Sequence, residues 1–509
     1  IGCTGGSPIS IDNAPTIYVL YGGNKFKDSN PRTIVSNNEY GFAIVYRDET
    51  KINSTWKLGS AELDDGTPIL VAARPDENIF NYLNAGVVFL IYGGQSRSNI
   101  ELSKNLTKDI GCMFYGYGDF SYAGSSLVYL GKVRDLNTLC IGSPGTDYNG
   151  TIFCIYLRAV QKLHPLFPPN IASDIGFMIS GDDPHFPVGK LMSITPNFPS
   201  KGAYSLLVVS FHIFVLGSDV LGSNINLDEL IRLNKTITIQ RYATDGATVS
   251  SISFAGTFNG YSSIAVSYSN ANALNRPRAG IVYIIYGIPN FTSLNVADLT
   301  SDRGFAINGE NEGDQLGSSL AYVPDFYKLG YNALAIGGTK RHNNQTIGAV
   351  YLIENKNNAH NLDLAFNSTD SDIRIHGKAN YSITIFGSIS DHNLFNLWNT
   401  ASLIARVNET HIFVIKAESS IWGYILLILG LTLVLAVGGF VIYRQLKLRK
   451  DILPSQQEGS DLNSSFSMED EIHSRKYSSA RSQPKKKSVL VELVLIVSIV
   501  EFMAFDISL

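Results

Sequence analysis

Charge is scarce in this 509-residue chain: Asp, Glu, Lys and Arg together make up 17% of it, against about 25% in an ordinary soluble domain. Glycine is plentiful instead, at 45 residues, and tyrosine and phenylalanine supply 26 each. That balance excludes a disordered polymer and a helical bundle. A basic surplus is also missing. Residues 1–420 carry a net charge of minus 5, which argues against nucleic acid, whose phosphates call for a basic stripe. Catalytic signatures are absent too: there is no H-E-x-x-H, no G-x-S-x-G and no phosphate loop, and the nine histidines lack metal-ligand spacing. Nothing points to an enzyme, and no cofactor or metal is expected. Finally, no signal peptide is visible and the chain opens on Ile1; an exported ectodomain normally needs such a leader, so the expectation is an N-terminally truncated sequence.

A long apolar run is present. Residues 421–443, IWGYILLILGLTLVLAVGGFVIY, hold 23 consecutive uncharged positions, about 34 Å of helix against a hydrocarbon core of about 30 Å. Trp422, Tyr424 and Tyr443 stand at its ends, where amphipathic rings favour the interface. Arg444, Lys447, Arg449 and Lys450 follow at once, so the positive-inside rule puts residues 1–420 outside the cell or in a lumen. The expectation is a single-pass type I protein of the plasma membrane or secretory pathway. Residues 444–488 are polar and serine-rich and should form a disordered cytoplasmic tail. A second apolar segment, 489–505, is interrupted by Glu492 and Glu501; a second helix, an interfacial helix and a faulty gene-model end all fit it.

The ectodomain repeats. Seven windows share a β-branched residue, an aromatic and two aliphatics: Ile17–Leu20, Val88–Ile91, Ile152–Ile155, Ile213–Leu216, Val282–Ile285, Val350–Ile353 and Ile412–Ile415. Their aromatic positions are 71, 64, 61, 69, 68 and 62 residues apart, and such residues suit a pleated surface. A second series is of the G-F-x-I type: Gly41-Phe42, Gly111-Cys112, Gly176-Phe177, Thr236-Ile237, Gly304-Phe305 and Asp372-Ile373. A third ends in small residues, as in Ile141-Gly142-Ser143 and Ile336-Gly337-Gly338, and a fourth reads Leu58-Gly59-Ser60, Gly124-Ser125-Ser126 and Leu316-Gly317-Ser318-Ser319. Four short strands repeated seven times predict an all-β, seven-bladed β-propeller over 1–416. Strand bookkeeping expects three strands in the first blade, four in each of the next five and three in the last, with the two absent strands upstream of Ile1.

The stretch Gly304–Ile353 resembles an FG-GAP repeat, the module of integrin alpha-subunit propellers, on Gly304-Phe305-Ala306-Ile307, Leu316-Gly317-Ser318-Ser319, Ala335-Ile336-Gly337-Gly338 and Gly348-Ala349-Val350-Tyr351. The resemblance covers residues 1–416 and is weakest between Pro199 and Asn270. It does not extend to integrin leg domains, since Phe413 lies eight residues from the apolar run, nor to a membrane-proximal G-F-F-K-R. Many such repeats hold calcium in a loop of the form D-x-N-x-D-G-x-x-D. The counterpart here, DFYKLGYNA from Asp325 to Ala333, keeps one carboxylate, and Asp64-Asp65-Gly66 reads better as a solvated turn.

Nine N-x-S/T sequons precede the apolar run, at Asn53, Asn105, Asn149, Asn234, Asn290, Asn344, Asn367, Asn380 and Asn408. Cys140 and Cys154 lie on consecutive strands, where either a disulfide or two small buried thiols fit.

The function implied is that of an integrin-alpha-like cell-surface receptor or adhesion glycoprotein. It would bind an extracellular protein or glycan, with a second receptor subunit as a further partner, through the face away from the membrane. The loops joining second to third strands, and fourth strands to the next blade, share that face. Two of them lack sequons and are rich in rings: Tyr115, Tyr117, Phe120 and Tyr122, then His185 and Phe186. Either ligand contact or packing of blade junctions fits these side chains. Two other functions remain open. One is an accessory propeller to an enzyme domain upstream of residue 1, an arrangement similar to the glycan-anchor-cleaving phospholipase D. The other is a structural surface coat.

Overall fold

The computed structural model describes residues 2–416 except 4–15, 21–40, 47–55, 94–97, 104–105, 148, 161–170, 182, 200–203, 243–244, 325–331, 343–344, 355–359, 366–372, 380–382, 390–401 and 408–410. Residues 417–509, including both apolar segments and the tail, lie outside the described residues. Among the described residues no helix is long and apolar enough to cross a membrane.

Seven antiparallel sheets follow one another along the chain. Sheet 1 contains β1 (Gly2–Cys3), β2 (Thr16–Leu20) and β3 (Gly41–Tyr46). Sheet 2 contains β4 (Lys57–Glu62), β5 (Pro68–Arg74), β6 (Val87–Tyr92) and β8 (Gly111–Tyr115). Sheet 3 contains β9 (Ser126–Val133), β10 (Leu136–Ser143), β11 (Thr151–Tyr156) and β12 (Gly176–Ser180). Sheet 4 contains β13 (Met192–Pro196), β14 (Tyr204–Val209), β15 (Ile213–Gly217) and β17 (Ile237–Gln240). Sheet 5 contains β18 (Ser251–Phe258), β19 (Tyr261–Tyr268), β20 (Ile281–Tyr286) and β22 (Gly304–Asn308). Sheet 6 contains β23 (Ser319–Val323), β24 (Ala333–His342), β25 (Gln345–Glu354) and β27 (Ile373–Ala379). Sheet 7 contains β28 (Ile383–Ile389), β29 (Ser402–Val407) and β30 (His411–Lys416).

The repeated aromatic-aliphatic windows become β2, β6, β11, β15, β20, β25 and β30. Within β6, β11 and β20 nearly every side chain is buried. Hydrophobic-polar alternation is missing because both faces of these strands are covered. Successive residues point to opposite sides, so one strand feeds two cores. In β6, Val87, Phe89 and Ile91 pack toward sheet 1, whereas Val88 and Leu90 pack toward sheet 3. Three further clusters fill the spaces between sheets 3 and 4, 4 and 5, and 5 and 6. The first strands β4, β9, β13, β18, β23 and β28 lie each against the next. First strands side by side, with cores between neighbouring sheets, make a propeller-like all-β fold.

Four short strands remain, and each joins its sheet from outside. Strands β7 (Ile100–Leu102), β16 (Ile225–Asn226), β21 (Leu294–Asn295) and β26 (Leu362–Asp363) run parallel to β3, β12, β17 and β22. Each belongs to the connection between the third and fourth strands of the following sheet, and crosses back to cover its predecessor's outer edge. The sequence pattern is a small polar residue, an aliphatic, any residue, then an aliphatic: Asn99-Ile100-Glu101-Leu102, Asn224-Ile225-Asn226-Leu227, Ser293-Leu294-Asn295-Val296 and Asn361-Leu362-Asp363-Leu364. Both aliphatics are buried in all four. The polar side chain accepts from an edge N–H of the covered strand: Asn99 from Ala43 at 2.8 Å, Asn224 from Met178 at 2.9 Å, Ser293 from Thr238 at 3.1 Å and Asn361 from Ala306 at 2.8 Å. An outer strand that would otherwise offer unpaired backbone groups is thereby blunted.

Candidate functional site

At one end of the sheets, the connections between second and third strands meet those leading to the next sheet. Backbone hydrogen bonds join them. Residues 75–86 and 116–125 are linked by Phe120 N–H to Leu83 carbonyl at 2.6 Å, Tyr122 N–H to Asn84 carbonyl at 3.0 Å and Ala123 N–H to Ala85 carbonyl at 2.9 Å. Asp119 accepts from Leu83 N–H at 2.8 Å. The same stitching recurs between residues 269–280 and 309–318, where Gln315 and Leu316 donate to Arg278 and Ala279.

This end carries most of the exposed apolar bulk. Of eleven exposed large hydrophobic side chains among the described residues, seven lie here: Phe80, Leu83, Tyr117, Phe120, Phe211, Tyr242 and Leu274. The densest group sits on the two stitched loops of sheet 2: Phe80, Leu83, Tyr117 and Phe120 are 59, 52, 51 and 48% exposed. The Tyr82 and Tyr117 rings lie 5.6 Å apart and those of Phe120 and Tyr122 6.3 Å apart. Phe80 and Phe120 also hold left-handed backbone, with φ of 50° and 60°, a region that costs a bulky residue of the order of 1–2 kcal/mol.

The sequence-derived candidates separate. Tyr117 and Phe120 belong to this ridge, and Tyr122 is half-buried beside them. Tyr115 does not: it ends β8, is 2% exposed, and lies with its ring 5.1 Å from that of Phe80. Both faces of β8 are covered, and burial pushes the Tyr115 hydroxyl pKa to about 12. His185 is exposed, its Nδ1 3.2 Å from Asp183, and Phe186 is half-buried with its ring 5.0 Å from that of Phe211. These two therefore form a second group, on the connection from sheet 3 to sheet 4. Phe80 and Leu83 are not among the sequence-derived candidates. The signal was there in Phe80-Asn81-Tyr82-Leu83, an apolar cluster inside an otherwise polar loop.

Beneath the ridge lies a buried ion pair. Arg74, the last residue of β5, donates from Nε to Glu77 at 3.0 Å, and neither side chain is exposed at all. The guanidinium rests 5.5 Å and 5.3 Å from the Tyr46 and Trp56 ring centroids. A second pair, Arg241 and Asp245, is bidentate at 2.6 and 2.8 Å between sheets 4 and 5. Its hydrogen bonds hold the Asp245 carboxyl well below the usual carboxylate range.

Cys140 and Cys154 stand opposite one another on β10 and β11, with Cα atoms 4.0 Å apart and the sulfurs bonded. Closing a loop of about this size removes roughly 3 kcal/mol of unfolded-state entropy, so a Cys140→Ala/Cys154→Ala variant should melt several degrees lower, as read by circular dichroism. An unchanged melting temperature would remove any stabilising role. Cys112 is free and buried, which pushes its thiol pKa to about 12. Asp65 accepts from Thr67 N–H and Asp64 from Asn137 N–H, both at 2.9 Å, so both carboxylates brace backbone. Asp325 and the ligand positions after it, Tyr327 and Leu329, lie outside the described residues, as do Asn53, Asn105, Asn344, Asn367, Asn380 and Asn408. Of the remaining sequons, Asn234 and Asn290 are exposed and Asn149 is half-buried.

No protein-family model matches the chain, and no curated protein matches it. Among solved structures it is similar to the crystal structure of Saccharomyces cerevisiae Sqt1, at 12% identity and a TM-score of 0.33, over 73% of this chain and 86% of that one. So remote a likeness carries no functional argument, and the arrangement of the sheets themselves bears the fold assignment.

Proposed function

We propose that the seven sheets are the blades of one closed FG-GAP-type propeller, and that the protein is an integrin-alpha-like, single-pass receptor of the cell surface. It binds an extracellular protein or glycan through the ridge of Phe80, Leu83, Tyr117 and Phe120, and works by contact rather than catalysis. The observation that carries the reading is the gathering of exposed apolar side chains at one end of the sheets, on loops stitched by backbone hydrogen bonds. Pre-ordered loops lose little entropy on binding, and a rigid ring contributes much area for few rotatable bonds.

The left-handed backbone of Phe120 supplies a test that separates contact from packing. Glycine there removes the ring and relieves the backbone, so Phe120→Gly should keep or raise the melting temperature, by the equivalent of about 1 kcal/mol. Together with Tyr117→Ala it should abolish attachment to panels of extracellular proteins and glycans, scored per molecule displayed at the cell surface. Destabilisation by Phe120→Gly with attachment retained per folded molecule would reassign these rings to the core.

A further inference from the structure

The rim of sheet 3 carries a cavity of about 290 Å³ lined by Thr146, Asp147, Thr151, Phe153, Met178, Ser180, Asn224, Ile225, Asn226 and Glu229. It opens between the end of β10, the outer strands β11 and β12, and the crossing strand β16. None of these residues is basic. The Asp147 and Glu229 carboxylates are exposed and make no hydrogen bond or ion pair among the described residues. The Thr151 side chain is a separate feature: it is 6% exposed, it lines the cavity, and its hydroxyl makes no hydrogen bond among the described residues.

Sheet 5 shows what the corresponding rim position is built to hold. The two sheets match in register: Gly150 and Gly280 precede β11 and β20 with φ of 79° and 87°, and their carbonyls accept from Gly181 and Gly309. Asn226 pairs with Ser180 as Asp363 pairs with Asn308. Asn224 and Asn361 accept from the equivalent edge N–H groups of Met178 and Ala306. In sheet 5 the loop before β20 sends Arg276 across to Asp363, in a bidentate pair at 2.6 and 3.1 Å. In sheet 3 the loop before β11 offers Thr146 and Asp147, and the partner position is Asn226. Sheet 3 has no arginine at the position of Arg276, and its cavity is lined by the two acids Asp147 and Glu229.

We propose that the rim cavity of sheet 3 binds a guanidinium group, supplied from outside the chain where sheet 5 supplies its own. Glu229 and Asp147 are the anionic acceptors, the Thr151 hydroxyl accepts a further N–H, and Phe153 and Met178 cover the apolar stem. A planar fork of donors can reach separate acceptors around one space, which a point charge does less well. The group comes either from an arginine side chain of another protein or from a small arginine-like solute. The site lies apart from the aromatic ridge and stands or falls separately from it.

The test is calorimetric titration of the full chain, purified in detergent, with N-acetyl-arginine amide and with its neutral isostere N-acetyl-citrulline amide. Arginine amide should bind at least about tenfold more tightly, because only it makes charge-assisted bonds. Glu229→Gln and Asp147→Asn should each weaken it, and since both side chains are exposed these variants should fold normally. A Thr146→Arg/Asn226→Asp variant rebuilds the pair of sheet 5 within sheet 3, and should lose binding while the melting temperature holds or rises. Preference for a glycine-flanked arginine peptide over free arginine assigns the source to a protein, and the reverse preference to a solute. Equal binding of the citrulline amide, no saturable binding of the arginine amide, or undiminished binding by the rebuilt variant overturns the proposal.

Discussion

Replacing Glu77 by alanine should cost about 3–5 kcal/mol of folding stability, because it takes a carboxylate away from a fully buried cation. Arg74 and Glu77 are both sealed from solvent, with the guanidinium beside the Tyr46 and Trp56 rings. Without its carboxylate the charge loses a strong acceptor and gains no water. Removing both partners is a different matter: Arg74→Met/Glu77→Leu swaps an ion pair for apolar groups, which is often neutral or better. The comparison is read from denaturant midpoints of the two variants. If Glu77→Ala alone costs less than about 1 kcal/mol, water reaches Arg74 and the burial argument fails. Binding is expected to suffer with it. Glu77 opens the loop that presents Phe80 and Leu83, and its carbonyl accepts from Gly86 at 3.0 Å, so loosening that loop disorders half of the ridge.

Gly280→Ala should be nearly as damaging, at about 2–5 kcal/mol from two additive causes. The residue has φ of 87°, where a Cβ strains the backbone. A methyl there would also stand against the backbone N and O of Leu316, which begins the next sheet's entry. Gly86 and Gly150 repeat the arrangement against Ala123 and Val188. The two causes are separable, because Gly260, in the turn between β18 and β19, has φ of 81° and open space where its Cβ would go. Gly260→Ala should lose only the backbone share, roughly 1–2 kcal/mol. Equal melting temperatures for the two variants would show that close approach between neighbouring sheets contributes nothing.

The fold was legible in the sequence wherever a strand is buried on both faces, since a run such as Val88-Phe89-Leu90-Ile91 cannot sit elsewhere in a soluble unit. The G-F series was legible for a related reason: Gly111 and Gly176 pack a bare Cα against the carbonyls of Leu90 and Cys154. Strands β7, β16, β21 and β26 were not legible. They are two or three residues long, run parallel to a distant partner, and carry a pattern too short to stand out before the register is known. The site was half legible. Aromatic content marked residues 115–122, but which rings face outward depends on where β8 ends: Tyr115 is its last residue and Tyr117 is beyond it. The guanidinium cavity left no trace in sequence, because its signal is a difference between two sheets that had first to be aligned.

The crossing strands also dictate an order of completion. Asn361 reaches Ala306 from 55 residues downstream, and Asn99, Asn224 and Ser293 reach back 56, 46 and 55 residues. During synthesis, then, a finished sheet waits with a bare edge until most of the next has left the ribosome. Sheets 1, 3, 4 and 5 each pass through this stage, so the waiting edge moves toward the C-terminus as translation proceeds. Pausing or truncation within the third-to-fourth-strand connection of any such sheet exposes the preceding edge to pairing with other chains. Premature stops there should yield more aggregate than stops just after the crossing strand, which leave the preceding sheet's edge covered.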